Sequence, residues 1–486
     1  MSKRLNDITR YKGILSINGK ENPEINQLVL DSRQITSGDL FFAVKGTGVD
    51  AHQFIPQVIE KGCSVVVCST LLEHLSEQVT YVLVDDVQQS VGYFASAFYD
   101  EPSQKLKLIG ITGTNGKTTT STMLFNLVTG FGHKCGLIST VEYIIGDKVY
   151  NSTHTTPDPI KLNALLAEMV SNECTYCFME VSSHSVVQGR INGLNFDGGV
   201  FTNITHDHLD YHGTFDNYIK AKKGFFDQLS EEAFALTNAD DRNGKVMLQN
   251  SKASKYTYAI KGNGDFKCRI MESDFEGLLL RIDNDEVWFS LVGEFNAYNL
   301  LAVYSTAFLL GFERDAILTK LSGIGRVNGR FEVYRSKTGI VGIVDYAHTP
   351  DALENVLRTI NDIRSTNESL VTVVGCGGNR DKEKRPVMGK VAALLSDKLI
   401  LTSDNPRNED PETIIQQMSE GVEANDKKKV LQIKDRKEAI RAAIMLCKPK
   451  DILLIAGKGH ETYQEIAGVK HPFDDRVVLK EIFNQL

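Results

Sequence analysis

A strand-like run, Leu106 to Ile111, leads straight into Thr112-Gly113-Thr114-Asn115-Gly116-Lys117-Thr118-Thr119-Thr120, and a helix-like stretch, Ser121 to Val128, follows. A strand that ends in a glycine-rich turn and reverses into a helix opens a parallel α/β unit. It is also the anatomy of a phosphate-binding loop. Glycines let backbone N–H groups approach phosphate oxygens, and the helix N-terminus adds the positive end of its dipole. Lys117 adds a fixed charge, and the Thr118 hydroxyl suits Mg²⁺. The chain is therefore expected to handle a nucleoside triphosphate. The strict pattern places a glycine six residues before Lys117, where this chain has Ile111. The loop is a variant with its glycines at 113 and 116. The alternative, a glycine-rich turn that holds nothing, is disfavoured because Gly116-Lys117-Thr118 sits at the strand–helix junction.

Downstream, strand candidates recur at 177–181, 199–202 and 234–237, with helical patterns between them. That alternation implies a mostly parallel sheet covered by helices. It restarts near residue 332. Strands are expected at 340–344, 370–374, 398–402 and 452–455, and helices at 351–360, 386–395 and 411–422. The second unit looks Rossmann-like, although no GxGxxG opens its first turn and Gly375-Cys376-Gly377-Gly378 is a weak match. Short apolar runs at 28–30, 40–44 and 64–67 precede a linker at 100–104. The expected fold class is α/β in three domains: a smaller N-terminal domain (1–103), a central phosphate-loop domain (104–331) and a C-terminal Rossmann-like domain (332–486). A chain of 486 residues suits three domains.

A net charge of −8 argues against broad nucleic-acid or membrane-surface binding, so an anionic ligand needs a local basic pocket. No apolar run is long enough to span a bilayer, and the polar start of the chain lacks the apolar core of a signal peptide. A cytoplasmic location and a monomer are expected. Of eight cysteines only Cys174 and Cys177 form a CxxC; without a second pair they read as reduced thiols near a strand.

Other polar clusters fall at predicted strand ends. Glu180 ends one strand, where a Mg²⁺ ligand belongs; a surface glutamate is the alternative. The run 201–213 holds His206, His208 and His212. Zinc is one reading, assistance to Mg²⁺ and substrate a second, and solvated loop histidines a third. Lys220, Lys222 and Lys223 sit on a predicted helix, where a solvated basic face is the simple account. Asp345 and His348 follow a strand and either touch a nucleotide across an interdomain cleft or cap the helix near Pro350. Asp404-Asn405-Pro406-Arg407 follows another strand. Arg407 suits a bidentate grip on a carboxylate, or else it is solvated beside a helix cap at Asp410.

Taken in order, these residues resemble the Mur ligase family, the ATP-dependent amino-acid adders of peptidoglycan synthesis. The resemblance spans essentially the whole chain. It includes Asp31-Ser32-Arg33, 112–119, Thr155-Thr156-Pro157, 180–184, 203–213, Phe295-Asn296 with Asn299, Gly329-Arg330, 345–348 and Gly457-Lys458-Gly459-His460-Glu461.

It implies that the first domain holds the UDP end of a UDP-N-acetylmuramoyl dipeptide, the second ATP and the third an incoming amino acid. ATP would lie on Gly113, Thr114, Asn115, Gly116, Lys117, Thr118 and Thr119, with Asn296 near adenine and Arg330 and Asp345 near the rest of the nucleotide. Thr118 and Glu180 would bind one Mg²⁺, and Glu180 and His208 would reach a second. Lys222 would be a carbamylated lysine, and with Lys117, Glu180 and His208 it would form the catalytic set. Ser32, Thr155, Thr156, Ser182, Gln188 and Arg190 would contact the UDP-muramoyl dipeptide. The segment Asp404, Asn405, Pro406 and Arg407 is similar to the family signature for meso-diaminopimelate; Arg380, Gly457 and Glu461 would complete that pocket. Two rivals are weighed. A folylpolyglutamate-synthase-like enzyme is disfavoured by the first domain and by 404–407. A nucleotide switch without ligation chemistry leaves the histidine cluster and 404–411 unexplained.

Overall fold

The computed structural model describes residues 2–46, 48–325, 327–365 and 367–485; Met1, the first residue of the polar N-terminal stretch, lies outside them. Among the described residues three large sheets follow one another along the chain, of five, eleven and six strands. The expected α/β class is what is found.

In the eleven-stranded sheet, Lys107–Thr112 lies between Tyr176–Glu180 and Gly198–Phe201, parallel to both. These strands are almost wholly buried, as strands covered on both faces must be. Helix Lys117–Gly130 contributes Met123, Leu124 and Leu127 to one core. On the opposite face, Phe225 and Phe226 of helix Phe215–Asp227 and Leu162 and Leu166 of helix Pro159–Ser171 fill a second. The register sets Glu180 opposite Ile111 and Phe201 opposite Thr112, so three strand ends lie level at one edge. The first helix begins at Lys117, four residues before the expected Ser121, because a run of β-branched threonines hides its first turn. Three antiparallel strands, Phe266–Ser273, Leu278–Ile282 and Asp285–Phe289, extend the sheet beyond its parallel part.

In the six-stranded sheet, Val341–Asp345, Ile452–Ala456, Leu370–Val374 and Lys398–Thr402 are parallel neighbours in that order. The chain adds two edge strands that the sequence reading lacked, Glu332–Arg335 and Val430–Ile433. The central strand latest in the sequence, 452–456, is thus flanked by strands from much earlier in the chain. The loops after all four central strands therefore emerge at one edge, where α/β sheets place ligands.

The three parts are in contact. On the first, helix Val87–Phe98 meets the middle sheet's helices; Asn192 Nδ2 donates to Gln89 Oε1 at 2.8 Å. A Cβ on Gly92 would lie 2.4 Å from the Asn192 carbonyl oxygen, so only glycine permits this approach. Between the second and third, Asn115 Nδ2 donates to Asp351 Oδ2 at 2.7 Å.

Candidate active site

The phosphate loop is shaped by neighbours as much as by its own glycines. Gly113 has φ +153° and Gly116 φ +85°. A Cβ on Gly113 would lie 1.9 Å from Thr202 Oγ1, and one on Gly116 2.5 Å from Asn299 Oδ1. The next strand's end holds the loop's backbone: Asn203 O accepts from Thr114 N at 2.8 Å and Asn203 Oδ1 from Asn115 N at 3.0 Å. Lys117 Nζ donates to the carbonyls of Gly113 and Thr114, both at 2.8 Å. Burial lowers its pKa, while Glu180 and Asp207 oppose that shift. Ile111, at the position the strict pattern reserves for glycine, is wholly buried in the core and serves packing.

Glu180 is wholly buried, which overturns the surface-glutamate alternative. Its Oε1 accepts from Thr118 Oγ1 and from Thr140 N, each at 2.8 Å, and its Oε2 from Thr140 Oγ1 at 3.1 Å. A carboxylate touching a phosphate-loop hydroxyl is a hard oxygen donor set, which fits Mg²⁺. Lys222 is also buried, contrary to the solvated-face account; its neighbour Lys223 pairs with Asp227 instead. Lys222 Nζ donates to Gly113 O at 2.7 Å and lies 4.7 Å from the Tyr218 ring centroid. Burial, reinforced by Lys117, holds its pKa well below the ordinary lysine value. An ammonium cannot ligate Mg²⁺, whereas a carbamate on the same nitrogen would offer oxygen.

His208 has φ +54°, a strained conformation for a non-glycine residue. Its backbone N–H is held by Asp207 Oδ1 at 2.9 Å, and its ring lies 4.8 Å from that of His184. Burial lowers its pKa and Asp207 raises it. The three histidines diverge: His206 stacks on Phe215 at 4.5 Å, and His212 Nε2 lies 2.9 Å from Ser183 Oγ. Among the described residues no group of three or more His, Cys, Asp or Glu side chains is arranged to hold a metal, so the zinc reading finds no support. Cys174 and Cys177 are free and buried.

Beside Glu180, Thr155 Oγ1 lies 3.0 Å from Thr140 Oγ1, and Thr156 Oγ1 donates to Glu180 O at 2.8 Å. Ser182 N donates to Thr156 Oγ1 at 3.2 Å. Arg190 joins this group, donating to Thr156 O at 2.6 Å and to Gln188 Oε1 at 2.6 and 2.9 Å. Ser32 stands on the first domain, buried, its carbonyl accepting from Lys61 Nζ at 2.8 Å.

Asn296 accepts from Asn299 Nδ2 at 3.0 Å, and Asn299 Oδ1 faces Gly116. Arg330 donates to Thr118 Oγ1 at 3.2 Å and lies 4.6 Å over the Tyr346 ring, while its buried Nε has no partner in the protein. Asp345 is buried and accepts from the backbone N–H groups of Phe331 and Ala347, both at 2.7 Å. The capping alternative for Asp345 and His348 fails, because Thr349 Oγ1 caps helix Pro350–Ile363.

At the facing edge of the third domain, Asn405 Nδ2 donates to Glu461 Oε2 at 2.8 Å. The fully buried Lys458 donates to the same oxygen at 2.8 Å and to Asn405 Oδ1 at 3.1 Å. Gly457 has φ +116°, and a Cβ there would lie 2.7 Å from Asp404 Oδ2. Arg407 donates to Gly378 O at 2.9 Å and lies 3.4 Å from Glu465 Oε2. A Cβ on Gly377 would lie 3.0 Å from Arg407 Nη1 and 3.8 Å from Arg380 Cγ, so both arginines pass this glycine. Asp410 does cap helix Pro411–Glu420, but Arg407 is only partly exposed, with its guanidinium on Gly378 O and beside Glu465.

Three sequence patterns from one family cover most of the chain: "Mur ligase family, catalytic domain" matches residues 24–99, "Mur ligase middle domain" 111–307, and "Mur ligase, glutamate ligase domain" 329–459. A protein of Cytophaga hutchinsonii is 54% identical over 484 residues, covering 99% of both chains, and bears the name UDP-N-acetylmuramoyl-L-alanyl-D-glutamate–2,6-diaminopimelate ligase. The chain belongs to the Mur ligase family. It is accordingly an ATP-dependent, amide-forming ligase. A Bacteroides fragilis protein of the same name is 54% identical over 470 residues, covering 97% of both chains. A solved structure of a ligase so named is 31% identical and superposes with a TM-score of 0.70 over 100% of this chain and 99% of its own.

In this Mur ligase, three residues outside the sequence-derived set touch its members. Thr140 holds Glu180, Lys458 joins Asn405 to Glu461, and Asp351 reaches the phosphate loop at Asn115. Asp207, whose charge acts on both Lys117 and His208, lines a cleft of about 780 Å³ with Asp351 and Lys384. Asp207 had a signal, its place in the 201–213 run. Thr140 and Asp351 had none, because pairing across elements leaves no local pattern.

Proposed function

We propose that this Mur ligase joins meso-diaminopimelate to the D-glutamyl γ-carboxylate of UDP-N-acetylmuramoyl-L-alanyl-D-glutamate, using ATP through an acyl-phosphate, in peptidoglycan synthesis. The observation that carries this reading is a pair of side-chain groups at one edge of the third domain's sheet. One group has Arg380 and Arg407 passing the same glycine, and the other has Asn405, Lys458 and Glu461 in one network. Diaminopimelate differs from lysine by a distal carboxylate, and a guanidinium is its complement. The relatives that bear this activity in their names add support.

In this reading the domains are 1–103 for the UDP end, 104–331 for ATP and 332–486 for the amino acid. Residues 113–119 cradle the phosphates, Asn296 approaches adenine, and Arg330 and Asp345 approach the rest of the nucleotide. Thr118 and Glu180 would hold one Mg²⁺, and Glu180, His208 and carbamylated Lys222 another; when bound, such ions would supply positive charge opposite a transferring phosphoryl group. Lys222, buried with a lowered pKa, is suited to be a neutral amine, the form that adds to carbon dioxide. Ser32, Thr155, Thr156, Ser182, Gln188 and Arg190 seat the UDP-muramoyl dipeptide.

The glutamyl carboxylate oxygen bonds to the γ-phosphorus and ADP leaves; Lys117 offsets the charge. The diaminopimelate amine then bonds to the acyl carbon, loses a proton, and phosphate leaves. Arg407 and Glu461 hold that amine's carrier in line, so the chain contributes mainly positioning. The third domain closes over the second and excludes water that would hydrolyse the acyl-phosphate. No helix is long and apolar enough to cross a membrane among the described residues; we place the enzyme in the cytoplasm as a monomer.

The test is ligation by purified protein given ATP, Mg²⁺, the UDP-dipeptide and either meso-diaminopimelate or L-lysine. ADP release coupled to UDP-tripeptide, with diaminopimelate preferred, is expected. ADP release that ignores the amino acid would return the nucleotide-switch account.

A further inference from the structure

Arg407 does not hold its own position. Its φ is +50°, a left-handed conformation that is unfavourable for a non-glycine residue. One side of the turn is tied to the strand that follows the pocket: Arg407 N donates to Glu465 O at 3.0 Å and Ala467 N to Arg407 O at 2.7 Å. The other side depends on Glu409, two residues on. Glu409 N donates to Pro406 O at 3.0 Å, which closes the turn, and its carboxylate is gripped by Arg385.

Arg385 lies in the first turn of helix Lys384–Leu395 and is wholly buried. Its two terminal nitrogens meet Glu409 Oε2 and Oε1, both at 2.9 Å, in a parallel fork. The same nitrogens donate to Gln417 Oε1 at 2.6 Å and to Gly377 O at 3.3 Å. Its Nε is buried without a partner. Glu409 also accepts from Asn379 N, and Asn379 Oδ1 accepts from Asn408 N at 3.0 Å. One guanidinium thus stitches the 377–380 loop, which carries Arg380, to the 404–409 loop, which carries Arg407. The seam between them is tight: a Cβ on Gly378 would lie 1.9 Å from Pro406 O. A wholly buried guanidinium with an unsatisfied donor contributes little net stability compared with apolar packing, so its value lies in the geometry it imposes.

We propose that Arg385, through Glu409, is a positioning residue for amino-acid specificity, setting the spacing of Arg380 and Arg407 to one distal carboxylate. The proposal rests on the diaminopimelate reading of the pocket.

The test compares wild type with Arg385→Lys, which keeps a charge but loses the fork, and with the joint change Arg385→Met and Glu409→Leu, which leaves no buried charge unpaired. Each is assayed with meso-diaminopimelate and with L-lysine. Misplacing a reacting group by about 1 Å costs up to about a hundredfold in rate, so a fall of about tenfold or more in the ratio of kcat/KM for diaminopimelate over lysine is expected. It should come from KM for diaminopimelate, with KM for ATP unchanged. A purely structural role would lower stability and activity on both amino acids alike; an unchanged ratio in both variants overturns the proposal. Wild type that does not prefer diaminopimelate would instead overturn the reading of the pocket.

Discussion

The two ends of the active cleft are built in opposite ways. At the phosphate loop the backbone is the binding surface. It is held by strand register, by glycines wedged against Thr202 and Asn299, and by carbonyls of the neighbouring strand end. At the proposed amino-acid pocket the side chains would be the binding surface. They stand on loops pinned by ion pairs of buried arginines, with Arg407 held in a strained conformation. A backbone site can serve any reaction that spends ATP. A side-chain site can be altered one residue at a time, at the cost of needing anchors. The difference teaches that the reaction's energy source and its selectivity are separable properties of this chain.

The contrast is broken or sharpened first by the anchors. Arg436 and Asp475 are wholly buried, bonded at 2.8 Å through both carboxylate oxygens. Arg436 also reaches Ala456 O at 3.0 Å and Ser403 O at 3.4 Å, where the two pocket loops leave the sheet. Arg436→Met leaves Asp475 charged and alone, and should cost about 3–5 kcal/mol in urea unfolding. Pairing it with Asp475→Leu should recover most of that. Equal losses in the single and double variants would mean that packing, not charge, anchors the loops. Next comes Lys117→Met, expected to lower kcat about 10²–10³-fold. Unfolding stability should hold or rise, since a desolvated ammonium is removed. A larger effect on KM for diaminopimelate than on kcat would show that the two ends are not separable.

What was legible in the sequence follows the same division. The strand–loop–helix at 106–128 declares itself because backbone sites need glycines, a lysine and a strand in adjacent positions. Strands 370–374 and 398–402 are found as expected, being short, largely apolar runs closed by turns. Strand Val430–Ile433 escaped notice because it is a half-exposed edge without a continuous apolar run. The proposed role of Arg407 leans on family resemblance, since locally a grip on a carboxylate and a solvated residue before a helix cap both fit. Lys222 looked like one of three solvated lysines; only the fold shows its helix turning that position into the core. Arg385 and Thr140 carried no signal, because their partners lie on other elements.

Arg407→Ala tests the side-chain end directly. A charged hydrogen bond is worth about 1.5–3 kcal/mol, so KM for diaminopimelate should rise about ten- to a hundredfold. KM for ATP should stay within about twofold on the same arithmetic. Comparable rises in both constants would remove Arg407 from the amino-acid pocket.

The smallest effect concerns the anchor's own charge. Arg385 holds the Glu409 carboxyl down at about 2, against 4.5 for an ordinary glutamate. A carboxyl depressed by folding contributes stability that is fully present above the unfolded value and is lost as pH falls through the folded one. The Arg385–Glu409 pair should therefore survive mild acid and fail between about pH 4.5 and 2. Glu409→Gln removes that titration, so unfolding free energy measured over this window should fall less steeply with acid than in wild type. Above pH 6 the variant's slope should match the wild-type slope, because the carboxyl is ionised there in both the folded and the unfolded wild-type chain. Equal slopes for the two chains between about pH 4.5 and 2 would mean that another group, and not Glu409, carries the acid response of the pocket's anchor.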